Sequence, residues 1–444
     1  MEKHLSFLTR KEIKELPKTD LHVHLDGSVP PALVHELAKE QGIDLVKVSR
    51  EMGIGNLETG SVDELETKIF KETYDSLSEY LVPFELINVV LRCPEGLKKA
   101  AYHFARDNFR EGVRYFEVRF APQKHWQSSF EWMDIVTSVN DGLKQAADEF
   151  NARPEIVSGK EPEFKYGMIL CAMRMINQHM GDYFRYLYEL HVGADLQNLS
   201  AMASMEVAKL CFMCMEEGLP VVGFDLAGRE DGFPAEVHKE AFIYCYERGI
   251  GTTCHAGEAY GPESMKSAVK DCMVRRIGHG TQLFRKQAIH KRTAEGRHLT
   301  RSERREYVTD IVEWIADNRV ALEVCLKSNS QTLPEYRDLS NHPFPHYIKN
   351  KFRIALSTDN RAISRVSVTD EYERVINLFN VNERVFKNLC IGGFKAAFFP
   401  GSYLKKREYI AKIIDFYEEK MAQFRKRADA TEPKYREMEE TLAD

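Results

Sequence analysis

No stretch of this chain approaches the ~20 consecutive apolar residues that a membrane-spanning helix needs. The opening Met1-Glu2-Lys3-His4-Leu5-Ser6 also lacks the apolar core of a signal peptide. A cytoplasmic protein without a membrane partner is therefore expected. Charge of one sign is not in large excess either. The 62 Lys and Arg stand against 68 Asp and Glu, a net charge of −6, which argues against a nucleic-acid partner and leaves room only for a local basic patch. A disulfide framework is missing as well. The nine cysteines are odd in number and scattered, as befits reduced thiols. Cys211-x-x-Cys214 has no second pair and no nearby His, and Ala208 to Glu217 has helical spacing, so both thiols are expected in the core. There is no low-complexity segment and no repeat beyond the alternation described next.

What is present is an ordinary globular composition, 43% hydrophobic and 29% charged, with short apolar runs separated by amphipathic stretches. The runs are Thr19–Leu25, Tyr115–Ala121, Lys165–Leu170, Pro220–Asp225, Gly251–His255, Arg275–Gly278, Val320–Cys325 and Arg353–Thr358. Leu97–Arg110, Ser200–Glu217, Ala235–Arg248 and Thr309–Asn318 carry helical spacing between them. Alternating strands and helices imply a parallel sheet, and eight repeats close an α/β (β/α)8 TIM barrel. An open doubly wound sheet of six or seven strands is the alternative. Residues 1–402 are read as the barrel, with a helical, lid-like insertion at 41–93 holding at least one long helical pattern, and a basic insertion at 285–305. Residues 403–444 read as a charged helical extension on or beside it.

Asp20-Leu21-His22-Val23-His24-Leu25-Asp26-Gly27 places two imidazoles at i and i+2 of a packed strand, on one face. An isolated pair of this kind is more often packing than ligation. In a barrel, however, the active site lies at the C-terminal strand ends, and there His22 and His24 are joined by His255, His279 and Asp359 from strands five, six and eight. Three His and one carboxylate suit zinc with an open position for water, and iron, manganese or cobalt fit the same donors. Glu258, three residues after His255, is placed to protonate a substrate nitrogen. His279, between two glycines, is placed to orient or deprotonate the water.

The motifs KTDLHVHLDGS, GVRYFEVRFAP, GFDLAGRE, TTCHAGE, RIGHGT, LEVCLKSNSQT and LSTDN with SVTDEY resemble the adenosine/AMP deaminase family of the amidohydrolase superfamily. The likeness runs from about Pro17 to Pro400. It implies a TIM barrel with one Zn2+ per chain held by His22, His24, His255 and Asp359. Glu258, His279 and Asp359 take the catalytic roles, Glu258 as proton donor to purine N1. Gly228 corresponds to the glycine whose backbone N–H meets purine N3, and Asp26 to the carboxylate on a ribose hydroxyl. Leu77, Tyr80 and Leu81 correspond to the apolar helix that closes over the substrate. The implied reaction is hydrolytic deamination at C6 of a small-molecule 6-aminopurine nucleoside, adenosine to inosine plus ammonia. Adenine, AMP or a modified nucleoside are alternative substrates, and a nucleoside-binding relative without catalysis is the alternative class.

One departure falls at the site: Asn360 stands where the family usually has a second Asp contacting purine N7. The H-x-E with P-C-x-x-C arrangement of other zinc deaminases is absent. Val222-Gly223-Phe224-Asp225-Leu226 offers no lysine for a binuclear centre, which favours one metal. An amidase or esterase, or an RNA-editing deaminase recruited through the basic insertion, are the remaining rivals.

Overall fold

The computed structural model describes residues 5–74 and 77–443, except the side chains at 6, 77, 78 and 431–443. Eight strands occur: β1 (Lys18–His24), β2 (Val113–Phe120), β3 (Lys165–Met173), β4 (Val221–Ala227), β5 (Gly251–Ala256), β6 (Arg276–His279), β7 (Ala321–Val324) and β8 (Arg353–Leu356). They pair in parallel and in chain order. Between β8 and β1 the seam is closed by one bridge, Val23 with Asp359. There the His24 N–H donates to Asp359 O and the Asp359 N–H to His22 O, both at 2.8 Å. The fold is a (β/α)8 barrel.

Helices cover the outside by the spacing rule for a one-sided apolar stripe. Pro94–Arg110 buries Leu97, Ala100, Ala101, Phe104 and Ala105. Leu196–Glu216 buries Cys211 and Cys214 among its core residues, so that pair is packing, as its spacing implies. No described helix is long and apolar enough to cross a membrane.

The insertion at 41–93 differs from the long helix that its pattern implies. Among the described residues its longest helix is the nine-residue Val82–Val90. Gly53 ends Leu45–Met52 in the left-handed region, and Gly55 and Gly60 also take positive φ, so the chain turns repeatedly. The basic stretch 285–305 is mostly irregular, with a short turn at Lys286–Ala288 and a bridge between Arg292 and His298. A capping box of Thr300 and Glu303 then starts the helix Arg301–Asp317. Several of its cations are engaged locally: Arg285 with Glu335, Arg297 with Glu303, and Arg304 with the Leu299 and Lys286 carbonyls. The final helix, Tyr403–Ala443, buries Tyr409, Ile413, Tyr417 and Met421, a stripe at intervals of four. Tyr409 Oη donates toward the Arg114 and Glu163 carbonyls at 2.7 and 2.8 Å.

Candidate active site

Seam closure draws the first and last strands together, and the chemistry gathers where they meet. His22 and His24 leave β1, His255 leaves β5, and Asp359 follows β8. His24 Nε2 lies 3.1 Å from His255 Nε2 and 3.5 Å from Asp359 Oδ1, which is 3.4 Å from His22 Nε2. His279, at the end of β6, also enters the cluster: donor atoms of His22, His255, His279 and Asp359 all lie within 4.8 Å of one another. Gly278 makes room for this crowding, since a Cβ there would sit 2.7 Å from His22 Cε1. His279 and Asp359 both adopt positive φ, 66° and 61°, an unfavourable backbone state that clusters at functional sites.

Carboxylates on the far side of the rings fix their orientation. His22 Nδ1 is 2.7 Å from Glu323 Oε2, and His255 Nδ1 is 3.2 Å from Asp225 Oδ2. Each acid accepts from an Nδ1–H and so presents the Nε2 lone pair inward, the usual outer shell of a metal-bound histidine. Arg119 holds Asp225 at 3.1 Å and Glu323 at 2.9 Å, and Arg276 holds Glu323 at 2.6 Å and Glu117 at 2.5 Å. Despite burial, His255 and Arg119 keep the Asp225 carboxyl well below the usual range, and Arg119 and Arg276 do so for Glu323. These partners lay inside motifs already singled out, as charges interrupting apolar strands, and that was the signal by which they could have been found.

The donor set fits a divalent ion on three counts. His22 Nε2 is buried with no hydrogen-bond partner. The separations of 3.1, 3.4 and 3.5 Å approximate the ~3.3 Å edge of a tetrahedron with 2.0–2.1 Å bonds. Finally, Asp359 is a buried carboxylate that, among the described residues, meets only His22, His24 and the Ser328 hydroxyl and pairs with no guanidinium group.

Glu258 Oε2 lies 3.7 Å from His279 Nε2, with 16% of its side chain exposed. Burial, then the charges of Asp359 and Glu230, push its carboxyl up to about 8. Glu230 accepts the Gly257 and Glu258 N–H groups at 3.1 and 2.9 Å, fixing that loop. Behind His279 runs a directed chain that sequence reasoning did not anticipate. The Phe344 N–H donates to His342 Nδ1 at 3.1 Å, His342 Nε2 lies 3.4 Å from Asn329 Oδ1, and Asn329 Nδ2 lies 3.1 Å from His279 Nδ1. Burial holds His342 neutral, its imidazole down at about 3. A backbone N–H can only donate, so every later link has its direction set. His279 Nδ1 accepts, and Nε2 carries the proton.

Of the remaining residues expected at the site, Asp26 is buried in the turn after β1, its carboxyl raised by burial. Gly228 follows β4 at φ 100°, a conformation that favours glycine. Asn360 donates from Nδ2 to Tyr80 Oη at 2.9 Å, while its Oδ1 is buried without a partner. Tyr80 Oη also meets Ser364 Oγ at 2.8 Å, and Ser328 Oγ donates to Asp359 Oδ2 at 2.5 Å. Leu81 is 44% exposed where the next helix begins, and the Leu77 side chain lies outside the described residues.

Comparison with known proteins agrees with this geometry. The sequence is 29% identical over 401 residues to the adenosine deaminase of Clostridium acetobutylicum, covering 89% of this chain and 98% of that one. It is 30% identical over 395 residues to that of Mycobacterium leprae, covering 88% and 92%. Among solved structures, adenine deaminase from Arthrobacter aurescens superposes with a TM-score of 0.67 at 19% identity, covering 91% of this chain and 99% of that one. A zinc-bound amidohydrolase from Burkholderia ambifaria gives 0.69 at 16%, covering 96% and 98%. The Arabidopsis N6-mAMP deaminase gives 0.65 at 19%, covering 91% and 99%. These three share the fold. The profile described as Adenosine deaminase matches residues 17–183 and 190–416, which takes in every strand and every residue of the cluster, and the chain belongs to the adenosine deaminase family.

Proposed function

We propose that the protein hydrolytically deaminates a 6-aminopurine nucleoside at C6, adenosine to inosine most directly, with one zinc ion held by His22, His24, His255 and Asp359. The observation that carries this reading is geometric: the Glu258 carboxyl, raised by burial, lies 3.7 Å from His279 Nε2 at the rim of a donor cluster that fits a dication. A protonated acid there can give its proton to purine N1 at neutral pH, drawing electron density from C6. When bound, zinc acidifies a coordinated water to a pKa near 7 and so supplies the nucleophile. The proton on His279 Nε2 supports His24 over His279 as the fourth ligand. A nitrogen bearing hydrogen has no lone pair for a metal, so His24 completes the ligands and His279 donates a hydrogen bond that steers the attacking water. Ser328 keeps one Asp359 oxygen occupied, so the other serves the ion.

On this reading Asp26 meets a ribose hydroxyl, the Gly228 N–H meets N3, and Asn360 serves N7. An amide has two N–H donors. One goes to Tyr80, which leaves the second for the N7 lone pair and ties the bound ring to the insertion at 41–93. Tyr80 joins the insertion to the site through Asn360 and Ser364, with Leu81 beside it as cover. The test is ammonia release from adenine, adenosine, deoxyadenosine, AMP and N6-methyl-AMP, alongside elemental analysis. Turnover of none of these by protein carrying one zinc per chain would end the proposal.

A further inference from the structure

The opposite end of the barrel holds a second charged cavity. It lies beneath the strand starts: Arg275 directly precedes β6, Ala321 opens β7 and Arg353 opens β8. Its volume is about 370 Å³, and Arg275, Arg319, Arg353, Lys395 and Lys406 line it with no carboxylate among its walls. Among the described residues none of these five forms an ion pair, and the three guanidinium groups make no hydrogen bond. Lys406 is anchored differently. Its Nζ donates to the Lys395 and Ala397 carbonyls at 3.0 and 2.5 Å, and an ammonium has a third N–H to offer. Burial, with Arg276, Arg275 and Arg353 acting together against the pull of Glu117, brings that ammonium down to about 8. Burial and then Arg319 and Arg275 likewise lower Arg353.

Cations gathered this way repel one another, and in a chain of net charge −6 carboxylates were not scarce. Their absence leaves the charge for an outside anion. Three arginines favour phosphate, whose oxygens their forked donors meet in pairs, and five cations exceed what one phosphate needs. The volume falls at the lower end of the ~300–1,000 Å³ range of small-molecule sites. The remaining wall is apolar, Val269, Val274 and Val320 among it, with Trp314 40% exposed at the rim.

We propose that this cavity binds a small molecule bearing two or more adjacent phosphates, held by Arg275, Arg319, Arg353 and Lys406, with any flat ring of the ligand resting on Trp314. The site is separate from the deaminase centre and does not depend on the reading given to it. Calorimetric titration of the full-length, metal-loaded protein with magnesium-saturated tripolyphosphate and with magnesium-ATP tests it. One saturable site is expected, weakening with added salt and weakening about a hundredfold in Arg319→Ala/Arg353→Ala, since each charge-assisted contact is worth about tenfold. The exposed single variant Arg319→Glu guards against a folding defect and should show the same direction. Adenosine turnover should stay within about twofold in both variants. Tighter binding of ATP than of tripolyphosphate, with that advantage lost in Trp314→Phe, would identify a nucleotide, and equal binding of both probes an inorganic polyphosphate. No saturable binding up to about 1 mM, or binding untouched by the double substitution, would overturn the proposal.

Discussion

At the mouth of the barrel buried carboxylates pair with a guanidinium group and with the histidine rings beside them. At the floor, arginines and lysines line one cavity with no carboxylate among its walls. The mouth is dry and its charges are held in pairs, because each unpaired buried charge is costly. The floor is wet, and water screens a larger surplus at lower cost. The same rule therefore reads both ends: burial sets how much unpaired charge the protein tolerates.

The first way to break this comparison is to remove a ligand of the proposed dication. His24→Ala should lose most bound metal and essentially all turnover, whereas His279→Gln should keep the metal and lose turnover alone. Elemental analysis giving the reverse pattern would put His279 among the ligands. Next, Glu258→Gln should retain one metal per chain and lower kcat by about 10²–10⁴-fold; near-normal ammonia release would remove it from the chemistry. Glu323→Gln should leave Arg119, Arg276 and His22 short of an acid and destabilise the fold by about 3–5 kcal/mol, read by denaturant unfolding. A smaller effect would mean that the interior network is less tightly balanced than the distances imply.

pH sharpens the contrast. The proton-donating form of Glu258 is the protonated one, so kcat/KM should fall as pH rises past about 8, and Glu258→Asp should shift that limb. Stability follows the same sign at this residue. A carboxyl that is raised on folding from its ordinary value near 4.5 to about 8 binds its proton more tightly in the folded state, so its contribution declines as pH rises through that window. Asp225, Glu323 and Asp359 are held low instead, so their contribution is lost only in acid. The smallest expected change is at Asn360. Asn360→Asp should alter kcat/KM on adenosine severalfold at most, and it should do so more at high pH, where a carboxylate cannot donate to N7. If 7-deazaadenosine matches adenosine in the unaltered protein, N7 makes no contact and the residue serves only Tyr80.

Much of this architecture could be read from the chain because two periodicities dominate it. All eight apolar runs coincide with strands, and the largest boundary difference is at β3, which continues to Met173. There the apolar run Cys171-Ala172 extends the strand beyond the expected end. His22, His24, His255, Asp359, Glu258 and His279 stood out because titratable groups at strand ends are few. Arg119, Asp225, Arg276 and Glu323 did not, because a charge within a strand reads as an outward-facing residue unless the barrel interior is known to be polar. The His342–Asn329–His279 chain depends on a loop geometry with no spacing rule. In the 41–93 insertion, helical periodicity was present but glycines at positive φ broke it into short pieces, and its Tyr74 and Tyr80 meet the loop after β8.

The single bridge between Val23 and Asp359 has a mechanical consequence. Every other pair of adjacent strands shares two or more aligned residue pairs, so the joint between first and last strands is where the cylinder would gape. The histidines of β1 and the aspartate after β8 lie on either side of that joint. An ion shared by them would act as a clasp, set only after the last strand has arrived, when nearly the whole chain has folded. Chelation should then loosen the hoop before it melts the staves: hydrogen exchange at His24 and Asp359 should quicken first, with the inner strands β3 and β4 protected until global unfolding.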